Sequence, residues 1–154
     1  TYTILRNGWY TENYTASIPA ALANNAFYGS AKNGKISSAL RAELAEAAVN
    51  VALNEGHENQ TYELAGSISW TLANLAAEIS KQTGKDIPYV DIPAADYATA
   101  LVQAGLDEGF AGLIAQWDVD ASNGALVSED KTLEKLLGRP TAGLDVAVKQ
   151  ALAH

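Results

Sequence analysis

Residues 1–14 read Thr-Tyr-Thr-Ile-Leu-Arg-Asn-Gly-Trp-Tyr-Thr-Glu-Asn-Tyr, and the order of residue types in this stretch decides the fold. Thr1 to Leu5 is short, β-branched and apolar, the pattern of a strand buried on both faces. Asn7-Gly8 breaks it, Trp9 and Tyr10 follow, and an apolar-periodic helix begins near Asn13. A strand, a turn and a helix in that order form the repeating unit of open α/β sheets. Ligands in such sheets bind just outside the carboxyl ends of the strands. Asn7, Gly8, Trp9 and Tyr10 fall on that edge, where glycine permits close backbone approach and the aromatic rings offer flat apolar faces. The simpler reading of the same residues is a capped strand end with Trp9 and Tyr10 packed into the core.

Working outward, Asn13 to about Asn24 reads as a helix with Ile18, Ala21 and Leu22 on one side and Pro19 bending it. A short strand is expected over 26–30, then a tight turn at Asn33-Gly34 and another extended piece, Lys35-Ile36-Ser37. Leu44, Ala47, Ala48 and Val51 recur at helical spacing over 41–54, with Gly56 closing the helix. A strand follows over 60–65. Thr71 caps an amphipathic helix with Leu72, Leu75, Ala76 and Ile79 as its buried stripe, ending at Gly84. Residues 87–92 alternate like a strand. Pro93 opens a helix carrying Tyr97, Leu101 and Val102 that stops at Gly105. Asp107 caps the next, with Phe110, Leu113, Ile114 and Trp117 at helical spacing. A polar loop over 118–128, a short helix over 133–137, a break at Gly138-Arg139-Pro140 and a last helix with Leu144, Val148 and Leu152 complete the chain. The implied class is α/β: the C-terminal part of a parallel sheet with a small, mostly helical lobe.

At 154 residues the chain has the size of one domain, and 48% hydrophobic against 18% charged residues is the balance of a globular protein. A formal net charge of −8 repels phosphate backbones and anionic lipid, so neither nucleic acid nor a membrane is the expected partner. No apolar run approaches the roughly 18 residues of a membrane span. The sequence does not open with the basic and apolar regions of a signal peptide, so the cytoplasm is the expected location. Opening inside an apolar strand reads as the C-terminal portion of a larger protein, with a domain of ~100–150 residues preceding it. An unpaired first strand is also a template for pairing between chains, so a homo-oligomer is expected.

Recognisable catalytic sets are lacking. With no cysteine and only His57 and His154, neither a thiolate site, a zinc triad nor a Ser-His-Asp set can be assembled, and no metal is expected. Tyr28 and Lys32 match Tyr-x-x-x-Lys, but Gly29 and the Asn33-Gly34 turn place them in a strand and a loop rather than one helical turn apart. Residues 118–129 imitate a calcium loop, with Asp118, Asp120, Ser122 and Glu129 at ligand positions, yet Asn123 stands where the sharp turn needs glycine. A solvated acidic loop is the preferred reading. No glycine-rich phosphate loop is present.

The segment Thr-Ile-Leu-Arg-Asn-Gly-Trp-Tyr-Thr-Glu-Asn-Tyr over 3–14 resembles the stretch after the last long parallel strand of NmrA-like atypical short-chain dehydrogenases, above all their NAD(P)H:quinone oxidoreductase branch. The resemblance extends through residues 35–45, Tyr62-Glu63-Leu64-Ala65-Gly66, Trp70-Thr71-Leu72, Lys131-Thr132-Leu133 and Gly138-Arg139-Pro140-Thr141. It implies a Rossmann-like sheet and NADP or NAD as cofactor, held mainly by an N-terminal half that these residues do not contain. It also implies a quinone or similar flat acceptor, reduced by direct hydride transfer, with no catalytic nucleophile here. By the same resemblance Asn7, Gly8, Trp9 and Tyr10 border the cofactor and Arg41 packs near that loop on the acceptor side; the aromatic set Tyr10, Tyr14, Phe110 and Trp117 is a candidate wall for the flat apolar pocket that a quinone needs. The simpler reading keeps Phe110 and Trp117 as core and Arg41 as a surface or helix-flanking residue; the sharper reading of Arg41 is that it orients a substrate carbonyl or orders Glu43. A catalytically silent, dinucleotide-sensing regulator is the alternative function, since other NmrA-like proteins are of that kind.

Overall fold

The computed structural model describes residues 1–153; His154, the second histidine, lies outside the described residues. The elements, in chain order, are β1 (Thr3–Asn7), α1 (Glu12–Thr15), α2 (Ile18–Asn24), β2 (Phe27–Gly29), α3 (Arg41–Leu53), β3 (Gln60–Leu64), α4 (Leu72–Thr83), β4 (Tyr89–Asp91), α5 (Ala94–Gln103), α6 (Glu108–Ser122), α7 (Thr132–Leu137) and α8 (Leu144–Leu152). The class is α/β with parallel strand pairs, as expected. Chain contacts divide it into two compact units. The first comprises Thr1–Ala16, Ser37–Ser69 and the residues from Ser128 onward; the second comprises Ser17–Ile36 and Trp70–Val127.

In the first unit β1 and β3 pair in parallel, from Thr3 opposite Gln60 to Asn7 opposite Leu64. The expectation that β1 is buried on both faces is corrected: Ile4 is 47% exposed and only Leu5 is half-buried. The reason is that β1 pairs on one side alone, with β3, and only Leu5 reaches the core. That core is a cluster of Ala39, Leu44, Ala47, Leu64 and Leu133, against which Leu5, Tyr10, Tyr62, Leu136 and Leu137 pack. The pairing ends where the Gly8 amide donates to the Leu64 carbonyl at 2.7 Å. A Cβ on Gly8 would stand 2.6 Å from that oxygen, so the glycine admits strand β3. Gly66 has the same duty toward the Ser38 carbonyl.

The helix expected over 13–24 is two helices, and Pro19 does not bend either. It sits in the first turn of α2, where its missing N–H costs no hydrogen bond.

In the second unit β2 and β4 pair in parallel, from Phe27 opposite Tyr89 to Gly29 opposite Asp91. Helix α4 follows the sequence reading closely. Thr71 and Asn74 cap one another reciprocally, Leu72, Leu75, Ala76 and Ile79 are buried, and Gly84 closes the helix at φ +68°. The strand expected over 35–37 is absent; Ile36 instead makes a single antiparallel bridge with Trp70. The turn before it runs from Ala31 to Gly34, and Lys32 rather than glycine takes the positive φ, +51°. Gly34 serves close approach instead, because a Cβ there would collide with the Ala121 backbone.

Helix α6 corrects two expectations. Its buried stripe is Ala111, Ala115, Asp118 and Ala121, whereas Phe110 and Leu113 are about half exposed. It also runs on to Ser122, so the solvated loop expected from residue 118 is corrected: Asp118 and Asp120 are helical and Asp118 is buried.

Leu133 is fully buried at the centre of the first unit's cluster. Leu133→Ala should therefore cost about 2–5 kcal/mol in chemical denaturation, the range for cavity-forming core truncations. A loss below 1 kcal/mol would show that the cluster does not carry the unit.

Candidate functional site

The crevice that answers best to the sequence reading lies at the carboxyl end of β1, wholly within the first unit. It encloses about 270 Å³ and is lined by Leu5, Asn7, Tyr10, Arg41, Leu44, Ala45 and Ala48. Asn7 is the last residue of β1 and is exposed; no protein group among the described residues engages its side-chain amide. Tyr10 is half-buried, with its ring under the Arg41 guanidinium at 5.4 Å from the ring centroid, a cation–π contact.

Backbone bonds fix both side chains in place. Ala39 brackets Tyr10: its amide donates to the Trp9 carbonyl at 3.1 Å, and its carbonyl accepts from the Thr11 amide at 3.0 Å. The Thr11 and Ser38 hydroxyls meet at 2.7 Å beside that bracket. Arg41 is the first residue of α3, and its amide donates to Glu12 Oε1 at 2.9 Å. A flat ring, a fixed cation and a primary amide, at the rim of an otherwise apolar cleft, suit a planar carbonyl or carboxamide ligand.

The remaining candidates are placed as follows. Gly8 is exposed and abuts the Leu64 carbonyl; Trp9 is half-buried; neither lines the crevice. Tyr14 is buried on α1. Phe110 and Trp117 belong to the second unit, where their rings meet edge to face at 6.0 Å. The pairing of Arg41 with Glu43 is corrected: Glu43 is bound by Arg139 instead. Tyr28 lies in β2 and Lys32 in the following turn, so they share no helical face. The ring of His57 bonds the Tyr62 hydroxyl at 2.8 Å. Among the described residues no group of three or more ligating side chains could hold a metal ion, and no helix is long and apolar enough to cross a membrane.

Sequence reasoning missed a polar network in the second unit. Asp118 is buried and accepts from the Ser30 amide at 2.8 Å. Asp91 Oδ1 accepts from the Tyr89 hydroxyl and from the Lys32 amide, both at 2.7 Å, and the Tyr89 oxygen in turn accepts from the Ala31 amide at 3.1 Å. Burial pushes Asp118 up to about 6, against the Ser30 hydrogen bond and with help from the Asp91 charge. Burial also raises Tyr97 and Tyr89, the latter aided by its bond to Asp91. The available signal was the spacing Ala111, Ala115, Asp118, Ala121, which puts a carboxylate on a small-residue stripe.

The sign of the Asp118 effect follows from linkage. A carboxylate whose folded pKa is raised favours the folded state while protonated, and that advantage fades as pH climbs from about 4 through about 6. Asp118→Asn keeps an acceptor for Ser30 and removes the buried charge. Its stability relative to the parent should rise from near zero at pH 4 to about 1–3 kcal/mol at pH 7, read from denaturant midpoints. A difference that stays flat with pH would exclude Asp118 as the titrating group.

No protein-family model matches the chain. Individual proteins do. It is 52% identical over 147 residues to quinone oxidoreductase 2 of Escherichia coli K12, a match that takes in 96% of this chain and 51% of that protein. The NADPH complex of that E. coli enzyme superposes with a TM-score of 0.93 over 98% of this chain and 53% of the enzyme chain. An uncharacterized protein of Haemophilus influenzae is 53% identical over 122 residues, which span 79% of this chain and 70% of that one. Triphenylmethane reductase from Citrobacter sp., complexed with NADP(H), is 34% identical with a TM-score of 0.92, covering 97% of this chain and 53% of that one. The chain thus spans about half the length of the two named reductases.

Proposed function

The chain belongs to the NmrA-like atypical short-chain dehydrogenase family, alongside E. coli quinone oxidoreductase 2, and on that premise we propose that it is the C-terminal, substrate-side portion of an NAD(P)H-dependent quinone oxidoreductase. The observation that carries the reading is the crevice at the end of β1, where Asn7, Tyr10 and Arg41 converge on a space of about 270 Å³. In this reading a preceding half binds most of the dinucleotide, NADP or NAD, so the 154-residue chain alone does not turn over.

NAD(P)H, when bound, supplies the hydride. The groups of this chain suit its flat end: Asn7 offers a donor and an acceptor to a carboxamide or ring edge, and Tyr10 offers an apolar face. Arg41 holds the Tyr10 ring flat and carries a positive charge at the rim, where it favours the oxygen of an acceptor that gains negative charge as hydride arrives. Leu5, Leu44, Ala45 and Ala48 line the remaining wall and exclude water. The acceptor is a quinone or a similarly flat electrophile. Trp9 and Gly8 contribute the loop's shape. The sensing regulator is the weaker reading, because the similarity is to a quinone oxidoreductase.

Asn7→Ala in the full-length gene product should lower kcat/KM with a quinone by about one to two orders of magnitude, or roughly 1.4–2.7 kcal/mol of transition-state stabilisation. The Tm should barely move, because an exposed amide fills no core volume. Full activity in a destabilised variant would refute the assignment. Self-association is proposed as well, since β1 presents Ile4 and an unpaired edge. Light scattering over a dilution series should show a homo-oligomer; a monomer throughout would reject it.

A further inference from the structure

Resting on that reading of the crevice, we propose that Glu43 and Arg139 are its positioning residues: they touch no ligand, and together they hold the backbone that sets Tyr10 and Arg41 face to face. Glu43 is 4% exposed, the only acidic residue of the first unit buried to that degree among the described residues. Its carboxylate gathers three donors from two distant parts of the chain. Oε2 accepts from the Leu40 amide at 3.3 Å; Oε1 accepts from Arg139 Nη1 and from the Ala142 amide, both at 2.8 Å. Arg139 is held from its other side by Glu46, whose Oε2 lies 2.6 Å from Nη2.

The placement of Leu40 makes this more than a staple. Leu40 stands between Ala39, whose amide and carbonyl bracket Tyr10, and Arg41, whose guanidinium covers the Tyr10 ring. A bond that fixes the Leu40 amide therefore fixes the start of α3 and, through Ala39, the loop that presents Tyr10. Neither Glu43 nor Arg139 lines the crevice, so any effect they have on it passes through residues 39–41. The energetics favour an all-or-none arrangement. A buried carboxylate is tolerated while its oxygens are fully bonded, and losing one partner leaves an uncompensated group. Loss of Arg139 thus acts on the Glu43 end of the network, and loss of Glu43 frees Leu40 directly.

The test uses Glu43→Gln, which keeps the shape but leaves one acceptor oxygen for three donors, with Arg139→Met, and with Arg139→Lys as the conservative rescue. Two measurements run side by side. In the full-length gene product, steady-state kinetics with a quinone should show KM raised about fivefold to tenfold, kcat within about twofold, and partial recovery in Arg139→Lys. In the 154-residue chain, proton NMR should show the upfield ring-current shift of the Arg41 side chain lost in the first two variants while the core methyl signals persist. A lowered Tm with the Arg41 shift and KM both unchanged would reduce the pair to plain stability and overturn the proposal. Should the parent protein reduce no quinone, the proposed activity fails, and the Arg41 shift alone then decides the positioning role.

Discussion

Backbone meets backbone at three glycines, and the packing inside each unit depends on it. Gly8 lies against the Leu64 carbonyl, Gly66 against the Ser38 carbonyl and Gly34 against Ala121, each at a distance that no Cβ would allow. In the first unit two of these contacts close the carboxyl ends of β1 and β3 and bring residues 37–39 alongside the loop after β1. The amide of Gly66 donates to Ser37, and Ala39 then bonds on both sides of Tyr10. Without side chains at positions 8 and 66 the strands and loops are near enough for this to happen. Any alanine there would push apart segments that have no other way to satisfy their amides.

This constraint places the one loop residue of the candidate crevice, Tyr10, against walls that come from β1 and α3. The loop from Gly8 to Thr11 has no regular structure beyond one bridge, Tyr10 to Ala39, yet the Gly8 amide, the Trp9 carbonyl and the Thr11 amide each bond a partner far away in sequence. Loops that are placed in this way behave as part of the scaffold, which is what a site must do if small displacements are costly. The neighbouring loop after β3 is held comparably: Ser67 and Thr141 exchange amide-to-hydroxyl bonds at 2.8 and 2.9 Å.

The sequence made some of this legible and concealed the rest, for identifiable reasons. The cap of Thr71, the stripe of α4 and the stop at Gly84 were readable because each is local, set by residues within one helix. The edge at Asn7 to Tyr10 was readable because a strand followed by a turn and a helix has one productive geometry. Helix α6 was misread because periodicity marks which residues share a face but not which face is covered. Its alanine stripe is buried since small side chains allow close packing, and the larger Phe110 and Leu113 are left half exposed. The Gly8 reading was incomplete for a related reason. A glycine signals close approach, and only the fold tells that the approaching group is the Leu64 carbonyl. Glu43 and Arg139 stand 96 residues apart, so no local pattern links them.

Two buried carboxylates, one in each unit, show how differently the same cost can be met. Glu43 is surrounded by two amides and a guanidinium, so its negative charge has a donor or a countercharge in every direction in which it has an oxygen. Asp118 has one amide, from Ser30, and its neighbours Asp91 and Tyr97 offer it no positive charge. Burial therefore works against its ionised form, and the proton is the partner that the structure does not otherwise provide. In the first unit Glu43 is met by three donors, while at the β2 end of the second unit burial pushes Asp118 up to about 6.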